Sequence, residues 1–158
     1  NLGTDNLITN IIEGIENVKG LQINILDLRD IDNVACKYFV VCSGNSTTQV
    51  NAITGSIRKC VSKNTGEKPW HIEGLDNSKW VLMDYIDVVV HIFNEETRKY
   101  YKIEDFIDES VDNENVNLNK YQKNLNNLLE TSFKEHSIYD VKEGIFSRVP
   151  KTDISMHS

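Results

Sequence analysis

The stretch WVLMDYIDVVVHIF, Trp80 to Phe93, decides how this chain folds. Two short apolar runs flank the polar DYID, and runs of that length rich in β-branched residues read as strands joined by a turn. With Asp84 to Asp87 as an even loop, Met83 pairs with Val88, Leu82 with Val89, Val81 with Val90 and Trp80 with His91. Paired residues share a face of the ribbon. One face then carries Val81, Met83, Val88, Val90 and Ile92 and belongs on a core. The other carries Trp80, Leu82, Val89 and His91, with Asp84 and Asp87 side by side at the tip. Like charges set opposite each other in a hairpin cost some tenths to about 1 kcal/mol, and a cationic partner would reverse the sign. An outward indole rimmed by carboxylates has the anatomy of a protein interface, an aromatic anchor with steering charges. The plainer alternative makes the aspartates turn formers and covers the second face with a helix. Pattern alone leaves both open.

Outward from the hairpin, the chain alternates helices and strands. Leu7, Ile8, Ile11, Ile12, Ile15 and Val18 recur at helical spacing after Thr4 and Asp5, which can cap a first turn, and the helix is expected to end near Gly20. LQINILDL, Leu21 to Leu28, alternates as a strand, and KYFVVCS supplies a more fully buried one. SGNSTTQV then turns into a helix with Ser46 or Thr47 as cap and Val50, Ile53, Ile57 and Val61 inward. A short extended segment around PWHIEG precedes the hairpin. NEETRKYYKIEDFI follows it as a helix capped by Asn94, with acids in its first turn and Tyr100, Ile103, Phe106 and Ile107 inward. Tyr100 and Tyr101 point to different sides of that helix, so one belongs to the core. The order α-β-β-α-β-β-β-α implies an α+β fold, a mixed β-sheet with packed helices.

Composition narrows the function. The 158 residues suffice for one core without disulfide or metal. A net charge of −7 argues against bare nucleic acid or an anionic membrane bound through a broad basic face, and favours a basic partner. Residues 113–158 hold six basic and six acidic side chains, so residues 1–112 carry the whole excess. Domain boundaries are therefore expected at 1–112 and 113–158. In the second segment Leu118, Tyr121, Leu125, Leu128, Leu129 and Phe133 fit one face of an amphipathic helix over 118–133, folding back or meeting a partner, with loose order beyond Ser137. Cys36, Cys42 and Cys60 are odd in number and lack a CxxC, which suits buried thiols in a reducing compartment rather than a zinc site. No apolar run reaches the roughly 18 residues of a membrane span and no signal-peptide pattern opens the chain, although Asn1 in place of Met leaves room for a removed leader. No cofactor is expected.

YFVVCSGNSTTQVNAI, HIEG, WVLMDYIDVVVHIF and EETRKYY follow one another at a spacing that resembles the Iojap family, also called the ribosomal silencing factor RsfS family, over residues 4 to 110. The resemblance implies a compact fold related to nucleotidyltransferases. It also implies binding to the large ribosomal subunit at ribosomal protein L-fourteen, which blocks joining of the small subunit and slows translation when nutrients are scarce. It places the partner-binding face on Trp80, Asp84, Asp87 and His91, with Glu73 and Gly74 before the hairpin and Glu96, Arg98 and Tyr101 after it. Leu82 joins this set from the ribbon face derived above. The location implied is the bacterial cytoplasm, with an organelle as the alternative. Two departures stand out. Ile86 occupies the position where the family pattern has Gly, and a β-branched residue disfavours positive φ, so a glycine-type turn is not expected. Beyond residue 112 no counterpart is recognised.

Two other classes compete. A nucleotidyltransferase-related enzyme would need closely spaced carboxylates on a strand just after Ser43-Gly44 to hold metal ions, whereas after Asp32 the next Asp is Asp76. Ser43, Gly44, Asn45 and Ser46 are read instead as a strand-to-helix turn. The protein is therefore not expected to be an enzyme, and His71 and His91 are read as surface or interface residues. Arg98 is assigned either to an acid on its own helix or to a partner. A homodimer meeting through Trp80 is the remaining rival, and it would oppose like carboxylates where a basic ribosomal protein would neutralise them.

Overall fold

A computed structural model of the chain describes residues 2–30 and 35–101, together with the strands at 139–142 and 145–148. The chain divides into two compact units, Asn1–Arg29 with Cys36–Tyr100, and Asp30–Ala35 with Tyr101–Ser158.

The first unit runs α1 (Leu2–Asn17), β1 (Leu21–Asp27), β2 (Tyr38–Gly44), α2 (Thr47–Thr65), β3 (His71–Glu73), β4 (Trp80–Asp84), β5 (Val88–Asn94) and α3 (Glu95–Tyr101). This is the expected order and an α+β architecture. The sheet is ordered β1-β2-β5-β4-β3. Only β2 and β5 are parallel; the other neighbours are antiparallel. β5 lies in the middle, and every residue of β4 and all of β5 except Asn94 is buried.

One face of the sheet meets the two long helices. Leu7, Ile8, Ile11 and Ile15 of α1 and Val50, Ile53, Ile57 and Val61 of α2 cluster with Val40, Cys42, Val81, Met83, Val88, Val90 and Ile92 of the strands. The helices cross closely at Gly14, where a Cβ would sit 2.7 Å from the Ile57 Cα. At that crossing the Ser56 hydroxyl donates to the Gly14 carbonyl at 2.6 Å, and Asn64 Nδ2 donates to the Oδ1 of buried Asn10 at 2.8 Å. α2 begins at Ser46, whose side chain accepts the Gln49 N–H, and ends at Gly66 with φ 76. α1 begins at Leu2, so Thr4 and Asp5 lie inside its first turn instead of capping it. Its left-handed exit falls on Lys19, φ 59, one residue before the expected Gly20.

The hairpin forms, with the expected faces and a different register. Trp80 pairs with Phe93, Val81 with Ile92, Leu82 with His91, Met83 with Val90 and Asp84 with Val89. The shift is two residues, which preserves which side chains share a face. The cause lies in the turn. Asp84 remains in the strand, the Tyr85 N–H donates to the Val88 carbonyl at 2.8 Å, and the Asp87 N–H donates to the Tyr85 carbonyl at 3.0 Å. Ile86 sits between with φ 74. An i to i+2 bond around a positive-φ residue is the tight γ-turn that is rare and strained. Ile86 thus adopts the backbone conformation that its β-branched side chain disfavours, and the Asp84 carboxylate helps to hold it by accepting the Ile86 N–H at 2.8 Å.

In the second unit, β6 (Tyr139–Lys142) and β7 (Ile145–Arg148) form an antiparallel pair. The pair lies beyond Ser137, where loose order is expected from the sequence; residues 143 and 144 between the two strands lie outside the described residues. The helix expected over 118–133, the boundary at 112, and Ile103, Phe106 and Ile107 lie outside the described residues, as do the side chains of Tyr100 and Tyr101.

Replacing Ile86 by Gly relieves the positive φ at an exposed position and is expected to raise stability by about 1 kcal/mol, within the usual cost of left-handed backbone at a non-glycine residue. Urea unfolding of the two proteins measures this. A less stable glycine variant would mean that side-chain packing of Ile86 outweighs the strain.

Candidate functional site on the central hairpin

The face of the sheet opposite α1 and α2 gathers Trp80, Leu82, Asp84 and His91 from the residues expected to bind a partner. Alternation along β4 places Trp80, Leu82 and Asp84 there, β5 adds Val89, His91 and Phe93, and β2 adds Phe39, Val41 and Ser43 through its parallel register with β5. All nine are buried.

Aromatic geometry organises this layer. Trp80 and Phe93 stack with ring planes 3° apart at 5.5 Å, Trp80 and His91 stack at 5.6 Å, and Phe39 meets His91 edge-on at 4.4 Å and 73°. Such pairs add about 0.5–1.5 kcal/mol each beyond the area they bury. The Trp80 indole N–H donates to His91 Nδ1 at 2.9 Å. That bond fixes the tautomer, because an accepting Nδ1 in a neutral ring leaves the proton on Nε2. Nε2 itself is buried and finds no hydrogen-bond partner among the described residues. Burial pushes the His91 pKa down to about 3, with the Asp84 charge opposing part of the shift. At neutral pH His91 is therefore uncharged, and its lone pair is occupied by the indole, so it cannot act there as a base.

The expected surface anchor is corrected by this geometry. Trp80, Leu82, Asp84 and His91 have no exposed surface. The physical reason is topological: β4 and β5 are interior strands covered on both faces, so WVLMD and VVVHIF are continuous buried runs rather than half-exposed ones. Nor are the two aspartates opposed at the tip. Asp84 lies in the strand across from Val89, and Asp87 faces outward, its carboxylate 3.6 Å from Lys37 Nζ with 44 % of its side chain exposed. The Asp87 carbonyl accepts the N–H groups of Lys37 and Tyr38, which ties the turn to the start of β2.

The remaining members scatter. Glu73, largely buried on edge strand β3, lies 3.1 Å from His71 Nε2. Gly74 adopts φ 93, and a Cβ there would collide with the Trp80 carbonyl oxygen, so glycine is required. Glu96 is exposed in the first turn of α3, its N–H donating to the Asn94 side chain at 3.1 Å. Arg98 is buried, donating to the Gln22 carbonyl at 2.6 Å and the Ser43 hydroxyl at 2.8 Å, so it belongs to the interior rather than to a surface contact. Tyr101 has no described side chain. Sequence reading missed Phe39, whose only signal was its place in a buried strand, and the Arg98–Ser43–Gln22 contact, which spans 76 positions and has no local signal. Ser46 and Asn45 do shape the turn into α2, Asn45 donating its N–H to Gln49 Oε1 at 2.6 Å. The cysteines are buried thiols, and the interior raises Cys42 to about 12.

The family model described as "Ribosomal silencing factor during starvation" matches residues 2–138. The chain belongs to this family. Its match extends past residue 112, so part of the segment for which no counterpart was recognised lies within it. The ribosomal silencing factor RsfS of Halalkalibacterium halodurans is 33% identical over 103 residues, covering 65% of this chain and 86% of that protein. The RsfS of Bacillus subtilis is 44% identical over 83 residues, 52% of this chain and 69% of the relative. The chloroplastic protein Iojap of Zea mays is 30% identical, across 56% of this chain and 38% of its own length. Among solved structures, a protein from Chromobacterium violaceum matches with TM-score 0.61 at 30% identity, covering 65% of this chain and 84% of that one. One from Bacillus halodurans matches with TM-score 0.56 at 32% identity, covering 64% and 92%. Membership in the silencing-factor family carries a regulatory role in translation and association with the ribosome. Among the described residues no helix is long and apolar enough to cross a membrane.

The buried imidazole gives this family member a pH signature. In the unfolded chain His91 titrates near 6.5 and in the folded one near 3, so between those values the unfolded state binds the extra proton. The contribution of neutral His91 is complete above about pH 6.5 and is lost as pH falls toward 3, at up to about 1.4 kcal/mol per pH unit. His91→Gln, which retains an acceptor for the indole, is expected to flatten the fall of the urea midpoint between pH 6.5 and 4.5. Parallel curves for the two proteins would show that His91 is not the group responsible.

Proposed function

We propose that this protein binds the large ribosomal subunit through ribosomal protein L-fourteen and blocks joining of the small subunit, repressing translation. The observation that carries the reading is the family match over residues 2–138. The charge balance supports it, since the −7 held by residues 1–112 suits a basic protein surface.

Direct contact in this proposal falls to the members of the site that reach solvent. Asp87, beside exposed Ile86 at the hairpin tip, and Glu96 at the start of α3 supply the steering charges. Glu73 lies at the rim. Trp80, Leu82, Asp84, His91 and Arg98 act from inside by fixing the strands and the helix that display the others. Asp87 and Glu96 flank the two ends of β5, so a partner reaching both spans roughly 20–25 Å of strand. An ordinary interface of about 800 Å² per partner covers that distance.

Sedimentation of mixed subunits tests the function. Added protein is expected to hold the subunits apart, and Asp87→Asn with Glu96→Gln to raise the concentration needed by about three- to tenfold, chiefly through slower and less salt-sensitive association. Unchanged seventy-S formation with the native protein would end the proposal. A double variant as potent as the native protein would instead remove these two carboxylates from the contact.

A further inference from the structure

Residues 33–66 contain no Asp or Glu, although the chain has 24 acids in 158 residues. The same stretch holds Lys37, Arg58, Lys59 and Lys63, and the last three lie on α2. All three are exposed, and none forms an ion pair among the described residues. Helical spacing places Lys59 and Lys63 away from the inward row Val50, Ile53, Ile57 and Val61, next to exposed Ala52 and Gly55. A Cβ added at Gly55 would meet nothing within 4 Å. The outward face is thus cationic and low in relief.

The fold does not account for this strip. Cations complement a helix dipole only in the last turn, which explains Lys63 but not Arg58 or Lys59. Lys59 and Lys63 stand four apart with no acid between turns, a mildly unfavourable arrangement. Glu13 of α1 and Lys63 both act on the thiol of Cys60, and Arg58 and Glu67 both act on Tyr85, so carboxylates stand toward the flanks of the helix, contributed by residues outside it. Solubility calls for charge of either sign and gives no reason to exclude carboxylates from 34 consecutive residues.

We propose that the outward face of α2, through Arg58, Lys59 and Lys63, contacts the phosphate backbone of ribosomal RNA on the large subunit. This rests on the proposed ribosome binding and adds a second contact to it, on a different element from the acidic hairpin tip. Three cations on one helix make a local strip, compatible with an acidic protein overall, and too few for a membrane surface, where clusters of four to eight are usual. A helix that carries cations and no carboxylate of its own fits an evenly charged polyanion, and each phosphate neutralised releases counterions and steepens the salt dependence.

The test measures affinity for purified large subunits over a range of KCl concentrations, alongside binding to the isolated ribosomal protein and to large-subunit RNA stripped of protein. Two variants are used. The first is the triple change Arg58→Gln, Lys59→Gln and Lys63→Gln. The second is Gly55→Glu, which sets a carboxylate four residues before Lys59 and replaces a helical glycine, so its thermal midpoint should stay level or rise. The triple variant is expected to lose about two to three units of slope in log affinity against log salt and roughly tenfold or more in affinity at low salt, with binding to the isolated ribosomal protein unchanged. Gly55→Glu should lose part of the same slope. Stripped RNA should retain the native protein better than the triple variant. Equal slopes for native and triple variant on subunits would overturn the inference while leaving the proposed function standing. A weakened triple variant with no difference on stripped RNA would point to an acidic protein contact and overturn it as well. Native protein that fails to bind subunits at all removes the proposed function and this inference together.

Discussion

The hydrogen bond from the Trp80 indole to His91 Nδ1 is the constraint around which the centre of the molecule is arranged. β5 lies between β2 and β4 and is covered on both faces, so a polar side chain on it must be neutral and partnered or carry a heavy cost. His91 meets the first condition through burial, which holds its ring unprotonated. Trp80 meets the second, since a buried indole N–H needs an acceptor and the imidazole supplies one. The indole N–H and the imidazole Nδ1 thus satisfy each other, while His91 Nε2 stays buried without a hydrogen-bond partner among the described residues. The stacked Phe93 and the edge-on Phe39 then fix both rings in place. The aspartates follow the same logic: Asp84, wholly buried, accepts the N–H of the strained Ile86, while Asp87, past the turn, is free to face Lys37 and solvent.

Sequence reading recovered the fold because its strongest signals are local and periodic. Strand parity alone placed Val81, Met83, Val88, Val90 and Ile92 on the helix side, and that parity survives a register error of two residues. The error itself came from the turn. The expectation that Ile86 avoids positive φ is a sound prior, and a carboxylate two residues earlier, at Asp84, accepting the Ile86 N–H is what overrides it. Exposure of Trp80 failed for a different reason. Whether the second face of a sheet is covered depends on the whole chain, and WVLMD reads equally as a half-exposed strand or as one buried on both sides.

The site shows the same division. Side chains chosen because they are unusual in an apolar run, Trp80, Asp84 and His91, are unusual for an interior reason: they satisfy one another or the turn. Exposed charges carry weaker signals individually and more information collectively. Acids outnumber bases over residues 1–112, yet a 34-residue stretch spanning β2 and α2 has none, so every carboxylate side chain of that span lies outside the stretch. A molecule with segregated charge can meet a composite surface, basic protein on one side and polyanion on another, in a way that a uniformly acidic one cannot.

Arg98 links the interior to that surface. Its guanidinium reaches from α3 to the Gln22 carbonyl and the Ser43 hydroxyl, joining the end of β2 to a segment of β1 where the register shifts between Leu21 and Asn24 and Gln22 takes φ 50. A buried guanidinium in this position is costly to strand, because each unmet donor forfeits hydration, so α3 cannot swing away without exposing that loss. Asn94 fixes the start of the helix from the sheet side by accepting the Glu96 N–H. Glu96 therefore stands at a position set by two interior contacts rather than on a freely moving terminus. An exposed carboxylate held in this way loses less conformational entropy on meeting a partner than one on a loose loop, which is the condition for a rim charge to contribute to recognition.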